Sequence, residues 1–189
     1  MSTRSSHLTT IAQWQALVKE AEVSRCLTLN EELESYLVFL LAQFNHRPDI
    51  ASRPLATEFL ASLEESPGKQ RECWRDVGDQ CLLLAGLFPG RVEKKCIQLR
   101  YFIDLGQRAY VQVADLCRTQ SGTLYRALSG GFVKLMEVLQ AIRGLAHPDS
   151  GLSPLQAAEL WTQTQSKQAL AILRQHTPYP LIIGSSIKH

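Results

Sequence analysis

Residues 76–91 read DVGDQCLLLAGLFPGR, and this stretch decides the fold. At about 100° per residue, one helical face takes a regularly spaced apolar set: Val77, Cys81, Leu84 and Phe88. Leucines fill the other directions after Cys81, so the second half of the helix is apolar all round. A helix with that pattern is buried on every side. The sequence therefore predicts a central buried helix over about 70–88, closed by Pro89-Gly90.

Helical periodicity continues through nearly the whole chain, and no convincing strand alternation precedes the C-terminal tail. The other helices are predicted, in chain order, over 10–22, 30–47, 54–65, 98–117, 123–145 and 154–176. Prolines mark several of their ends, because the residue before a proline is pushed out of the helical region. The predicted fold class is therefore all-α: a single-domain bundle of about seven helices around the central one.

A glycine pair, Gly130-Gly131, falls in the middle of the helix predicted over 123–145. The apolar phase continues across the pair, which favours one kinked helix over two separate helices. Two interior glycines cost about 1 kcal/mol each relative to alanine, so we expect a packing or functional reason for them.

The chain is predicted to divide into a disordered N-terminus over 1–8, a helical domain over 9–176 and an extended tail over 177–189. The tail, TPYPLIIGSSIKH, cannot continue a helix past its two prolines. It carries three consecutive apolar residues, Leu181, Ile182 and Ile183. Because this run is too apolar for a free end, we expect the tail to pack on the body of the protein or on a second subunit.

The composition is that of an ordinary globular chain, with 45% hydrophobic and 20% charged residues among 189. A net charge of +2 is too weak to predict nucleic acid or an anionic membrane as an obligatory partner. The N-terminal sequence has no apolar core of signal-peptide length. The longest apolar runs, 36–42 and 81–89, fall short of the roughly 20 residues of a membrane helix. We therefore expect a cytoplasmic protein without a membrane span.

The cysteines form an odd set of five, Cys26, Cys73, Cys81, Cys96 and Cys117, and none belongs to a CxxC pair. Their spacings match no compact zinc pattern. In a chain without a signal peptide, we expect reduced thiols that act as small apolar side chains. The sequence accordingly predicts no metal and no cofactor.

Two blocks, GDQCLLLAGLFPGR at 78–91 and YFIDLGQRAY at 101–110, follow the element HRPDI at 46–50. In these blocks, and over roughly residues 30–145, the chain resembles a family of uncharacterised bacterial proteins. The resemblance implies an all-helical fold and a bacterial origin. It implies no activity, cofactor or catalytic residue.

Asp76 and Asp79 form a carboxylate pair at the start of the central helix, next to Arg75. Such a pair suits a metal or general acid–base chemistry. A metal site needs further acidic or histidine ligands, and neither aspartate has one nearby in sequence. The favoured interpretation is an exposed helix start, paired with arginine, where acidic groups complement the helix dipole.

The loop after the second predicted helix holds the best candidate for a site, because His46, Arg47 and Asp49 crowd a turn forced out of helix. His46 would act as a general base oriented by Asp49, and Arg47 would hold a carboxylate or phosphate. The alternative is an ordinary helix C-terminus. In that case the side chains of His46 and Arg47 donate to the last carbonyls of the helix, and Asp49 caps a turn.

Between the helices over 70–88 and 98–117, basic residues outnumber acidic ones, and an aromatic residue, Tyr101, is adjacent. The basic residues are Arg91, Lys94, Lys95 and Arg100. They would form a small phosphate or nucleic-acid patch. A cluster this short in a nearly neutral chain is more typical of a solvated face. The chain has no GxSxG, HExxH, Walker-type or EF-hand motif.

The sequence predicts a non-enzymatic protein that acts through contacts with another chain, including itself. A homo-oligomer would form through the apolar tail, and a two-fold dimer is the commonest closed arrangement. The alternative is a small-molecule site, or an enzyme, in a cleft between helices. Its six candidate ligand-binding residues are His46, Arg47, Asp49, Asp79, Arg91 and Tyr101. Nucleic-acid binding through residues 91–100 is a third alternative.

Overall fold

The structure, a computed structural model, describes residues 3–46, 66–88, 99–117, 121–146 and 154–176. Over these residues the chain is all-α, as predicted, with seven helices and no strand. In chain order the helices are α1 (Thr3–Arg25), α2 (Glu31–His46), α3 (Pro67–Leu87), α4 (Leu99–Leu116), α5 (Ser121–Ala146), α6 (Pro154–Thr164) and α7 (Lys167–His176). The helix predicted over 54–65 and the tail over 177–189 lie outside the described residues.

The chain forms two compact units, Met1–Gly151 and Leu152–His189. In the first unit α5 packs against each of the other four described helices, and α3 packs extensively against α4. In the second unit α6 packs against α7. Every described helix of sufficient length is too polar to qualify as a membrane span. The boundaries of the helical domain, 9–176, stay a prediction.

The first helix begins at Thr3, within the segment 1–8 that we expected to be disordered. At its other end Cys26 adopts a left-handed φ of 52°. The Leu27 N–H donates to the Glu22 carbonyl at 3.0 Å, and the Cys26 N–H donates to the Val23 carbonyl at 3.2 Å. This pair of bonds is the Schellman arrangement, which satisfies helix carbonyls that would otherwise lack donors.

Asn30 caps the next helix, since its side-chain Oδ1 accepts a hydrogen bond from the Leu33 N–H at 2.9 Å. A lysine then ties α1 to α2: the Nζ of Lys19 lies 3.1 Å from a Glu22 carboxylate oxygen and 2.6 Å from a Glu34 oxygen. The start of α2 therefore agrees with the prediction near residue 30. Its end at His46, two residues before Pro48, agrees as well.

The predicted central helix is confirmed as a buried element. Ten consecutive residues of α3, Val77–Gly86, are buried, and Cys81, Leu82 and Leu83 have no exposed surface. Fully burying a leucine side chain contributes roughly 1.5–3 kcal/mol, so this run is a large part of the core. Pro67 occupies the first turn of the helix, where its missing N–H costs nothing.

Close helix contacts explain two of the interior glycines. A Cβ at Gly86 of α3 would overlap the Cβ of Leu139 on α5, and a Cβ at Gly131 would lie 2.8 Å from Leu33 Cδ1 on α2. At Gly130 a Cβ would meet nothing within 4 Å. The helix predicted across Gly130-Gly131 is continuous. Of the two glycines, only Gly131 is explained by packing, through its close approach to Leu33. The kink itself stays a prediction.

The single helix predicted over 154–176 is wrong, because the structure has two helices there. Gln165 takes a left-handed φ of 54°, and its N–H donates to the Trp161 carbonyl at 3.0 Å, which ends α6. The Ser166 hydroxyl oxygen then accepts a hydrogen bond from the Ala169 N–H at 3.3 Å and caps α7. The helix is thus interrupted by a left-handed glutamine followed by a serine N-cap, and the break contains no proline or glycine.

We predict opposite effects for two glycine-to-alanine substitutions in these helices. Gly86→Ala should destabilise the protein by about 1–3 kcal/mol, because the new methyl overpacks against Leu139. Gly130→Ala should stabilise it by up to about 1 kcal/mol, because the methyl points into open space and alanine favours helix. Urea unfolding of both variants measures the difference. A stable Gly86→Ala protein would contradict the close approach of α3 and α5.

Candidate functional site

Asp79 is buried, with 7% of its surface exposed. The expectation of an exposed carboxylate pair at the start of α3 is therefore wrong for this residue. Asp76 does fit the expectation, since it is exposed and its Oδ1 lies 3.1 Å from Nη2 of Arg75. Three helical positions separate the two aspartates. Residues three apart share one side of a helix, so Asp79 differs from Asp76 by lying almost one turn further along α3, within its buried stretch Val77–Gly86.

Two tyrosine hydroxyls hold the Asp79 carboxylate. The Tyr36 hydroxyl donates to Oδ1 at 2.6 Å from α2, and the Tyr110 hydroxyl donates to the same oxygen at 2.8 Å from α4. The half-buried ring of Tyr125 on α5 completes the group, 6.3 Å from the ring centroid of Tyr36 and 6.2 Å from that of Tyr110. We call these four residues the Asp79 cluster. Three helices thus meet at one carboxylate, and α5 adds a ring beside the two tyrosines.

Gly78 makes this arrangement possible. A Cβ at this position would lie 2.6 Å from Cε1 of Tyr110 and 2.8 Å from its Cδ1. Real side-chain carbons do not approach so closely, so the Tyr110 ring occupies the space that any other residue would fill. The residue before the buried aspartate is therefore a glycine because the tyrosine must pass over it to reach the carboxylate.

Burial raises the pKa of Asp79 to about 6, while the hydrogen bonds from Tyr36 and Tyr110 and the charge of Arg75 act in the opposite direction. Burial also raises the pKa of both tyrosines well above the usual value, so their hydroxyls stay neutral donors. A carboxyl that titrates near pH 6 has a value suited to proton transfer. Here, however, one oxygen is occupied by two donors and the residue is almost fully covered. The cluster is therefore suited to joining helices.

A groove borders this cluster on the surface of the first unit. It has a volume of about 620 Å³ and lies between the first half of α2 and the start of α5. Its lining residues are Glu31, Glu32, Ser35, Tyr36, Phe39, Thr123 and Leu124. We call it the α2–α5 groove. Tyr36 belongs to both features, because its ring lines the groove and its hydroxyl is bonded to Asp79.

The groove combines an apolar wall with an acidic rim. Phe39 is 61% exposed, so most of its ring surface is in contact with water. Glu31 and Glu32 lie in the first turn of α2, where acidic groups complement the helix dipole. Both are exposed, and among the residues that the structure describes the lining includes no lysine, arginine or histidine. The groove therefore favours a ligand or partner with an apolar part and a positive charge.

Most of the six predicted site residues are not placed by the structure. Arg47, Asp49 and Arg91 lie outside the described residues, and for His46 only the backbone at the end of α2 is described. His46 follows Tyr36 by ten residues, which is about 15 Å along the helix axis. A site that combines His46, Arg47 and Asp49 therefore stays a prediction.

Tyr101 and Asp79, the two remaining candidates, are not brought together. Tyr101 is 50% exposed and stacks edge-on with Phe102. It precedes Tyr110 by nine residues, so it lies about 13 Å along α4 from the tyrosine that contacts Asp79. Of the basic residues proposed for a nucleic-acid patch, Arg100 is paired with Asp104 at 3.2 Å. The other three lie outside the described residues.

Cys81 behaves as the small apolar residue that we predicted. It is fully buried on α3, and burial raises the pKa of its thiol to about 12. Cys26, Cys73 and Cys117 are also free thiols, and Cys96 lies outside the described residues. Among the residues that the structure describes, no group of three or more histidine, cysteine or acidic residues is arranged to hold a metal ion.

No protein family, no curated protein and no solved structure matches the chain. The resemblance to uncharacterised bacterial proteins consequently stays a prediction.

The sequence interpretation also missed the tyrosines of the Asp79 cluster and the groove beside them. One signal was available: Tyr110 lies in the inner stripe of α4, and a buried tyrosine hydroxyl requires a hydrogen-bond partner.

We predict that the stability of the protein depends on the protonation of Asp79. Because the folded-state pKa of about 6 exceeds the ordinary value of 3.8, the fold favours the neutral acid. The associated stability is fully present below about pH 4 and is lost as the pH rises through about 6. At about 1.4 kcal/mol per pKa unit, the loss is on the order of 3 kcal/mol. Asp79→Asn should remove this loss. Urea unfolding of both proteins between about pH 4 and 7 measures this loss. The same pH dependence of the free energy of unfolding in both proteins would contradict the prediction.

A second prediction concerns the tyrosine donors. Tyr110→Phe should destabilise the protein by about 1.5–3 kcal/mol at neutral pH, because it removes a hydrogen bond to a buried charged group. Tyr101→Phe is the matched control, since its exposed position predicts a change within about 0.5 kcal/mol. Thermal and urea unfolding give both values. Equal effects of the two substitutions would contradict a buried tie at Asp79.

Proposed function

We propose that the protein is a non-enzymatic helical protein that acts through contacts with other protein chains and associates with a second copy of itself. The observation that carries the proposal is the α2–α5 groove with its exposed phenylalanine, Phe39. Apolar surface beside an open groove is typical of a surface that another chain covers. The proposal places this contact in the cytoplasm, where the cysteines stay reduced.

The chemistry of Asp79 supports a binding role over catalysis. Burial raises the pKa of the Asp79 carboxyl to about 6, and a pKa near 6 would suit a general acid or base. Its bonded oxygen accepts from Tyr36 and Tyr110, and the residue is almost completely covered. A substrate would have to displace a tyrosine to reach it. The groove beside it remains open without any such change.

The C-terminal sequence supplies a segment for self-association. Its apolar run, Leu181, Ile182 and Ile183, loses contact with water when a second copy covers it. A two-fold dimer uses the same pair of surfaces twice, so one apolar segment for each chain is sufficient to close it. The resulting protein would be a small all-α dimer whose remaining exposed surface is available to other partners.

Sedimentation velocity tests this proposal directly. We expect the full-length protein to sediment as a dimer that dissociates on dilution. A variant with serine at Leu181, Ile182 and Ile183 should sediment as a monomer with unchanged helix content by circular dichroism. Val23→Ser on α1, where an exposed valine is removed from another surface, is the control and should stay dimeric. A wild-type protein that sediments as a monomer at every concentration would overturn self-association.

A further inference from the structure

We propose that the α2–α5 groove is the receiving surface for the C-terminal segment, residues 177–189, of a second copy of this chain. The inference rests on the proposed self-association and adds the surface at which it occurs. The groove lies in the first unit, and its lining combines aromatic rings with two carboxylates. The segment combines aliphatic side chains with a lysine and has no acidic side chain. The two are therefore complementary in both respects.

The apolar part of the match involves the wall of the groove. Phe39 is 61% exposed, and Leu124 and the Tyr36 ring line the same space. A volume of about 620 Å³ is within the range of sites that enclose a drug-sized ligand, about 300–1,000 Å³. This space accommodates a few side chains of an extended segment. Leu181, Ile182 and Ile183 provide consecutive side chains of that kind.

The charged part of the match involves the rim. Glu31 and Glu32 form no ion pair with any residue in the described parts of the chain. Acidic residues in a first helical turn complement the helix dipole, so their presence alone indicates no partner. What distinguishes this rim is the apolar wall within the same groove. In residues 177–189, Lys188 carries a positive charge at neutral pH and is therefore the side chain that would pair with this rim.

The spacing of the two parts agrees. Glu31 and Phe39 are eight residues apart on α2, which places them about 12 Å apart along the helix axis. Ile183 and Lys188 are five residues apart, and five extended residues span at most about 17 Å. When the aliphatic residues lie on Phe39, Lys188 therefore reaches the glutamates.

A peptide-binding experiment tests the assignment. The receptor is the full-length protein with serine at Leu181, Ile182 and Ile183, so that its own tail does not compete. The probe is a fluorescein-labelled peptide of sequence TPYPLIIGSSIKH, followed by fluorescence anisotropy. We expect saturable binding. Phe39→Ser in the receptor should weaken it about tenfold or more, because an apolar anchor at the centre of the contact is lost. Val23→Ser in the receptor is the control and should leave it unchanged.

Charge reversal gives a second readout that a merely unfolded variant cannot imitate. A Lys188→Glu peptide should bind the receptor several-fold more weakly. The double substitution Glu31→Lys and Glu32→Lys should restore binding of that peptide while weakening the unmodified one. Circular dichroism of each receptor variant should retain the wild-type helix signal. This reciprocal rescue assigns the lysine to the rim of the groove.

The outcomes separate the inference from the proposed function. If the protein is a tail-dependent dimer but the Phe39 and glutamate variants bind the peptide normally, the groove assignment is wrong and self-association stands. If the peptide does not bind at all, the assignment is likewise wrong. If a peptide with serine in place of its three aliphatic residues binds equally well, the groove takes positive charge in general and the tail is not its specific occupant. A protein that is monomeric in sedimentation overturns the proposed function itself.

Discussion

The carboxylate of Asp79 is the constraint on which the first unit depends. An ionised carboxylate inside a protein costs several kcal/mol unless donors surround it. Its two donors come from different helices, Tyr36 on α2 and Tyr110 on α4, and both bond the same oxygen. These helices must therefore meet α3 at one level. Neither helix can slide or rotate without leaving a buried charge without its partner.

This constraint also positions the groove. Because the Tyr36 hydroxyl is fixed on Asp79, the Tyr36 ring forms a wall of the α2–α5 groove, and Phe39 follows on the same helix. The acidic rim is fixed at the other end by the Asn30 cap, which sets where α2 begins. A binding surface thus arises from a core interaction, and the protein needs no mobile loop to present it.

The sequence predicted those features that depend on local pattern. The apolar run after Cys81 predicted a helix buried on all sides, and Pro48 predicted the end of α2. It failed where the decisive contact comes from another helix. Asp79 was predicted to be an exposed residue at a helix start, because the tyrosines that cover it lie 43 and 31 residues away in the chain. The groove has the same origin, since α2 and α5 are far apart in sequence. The break at Gln165 was missed because a left-handed glutamine has no sequence signal comparable to glycine.

The central claim is that a desolvated Asp79 joins the helices of the first unit, and the titration of this one carboxyl tests it most directly. In protein labelled with ¹³C at aspartate, the side-chain carboxyl resonance of Asp79 can be assigned with Asp79→Asn and followed as the pH is raised. The account predicts a midpoint near 6, because burial raises the pKa to about that value. A midpoint at the ordinary value of 3.8 would show a solvated carboxylate and would contradict the account.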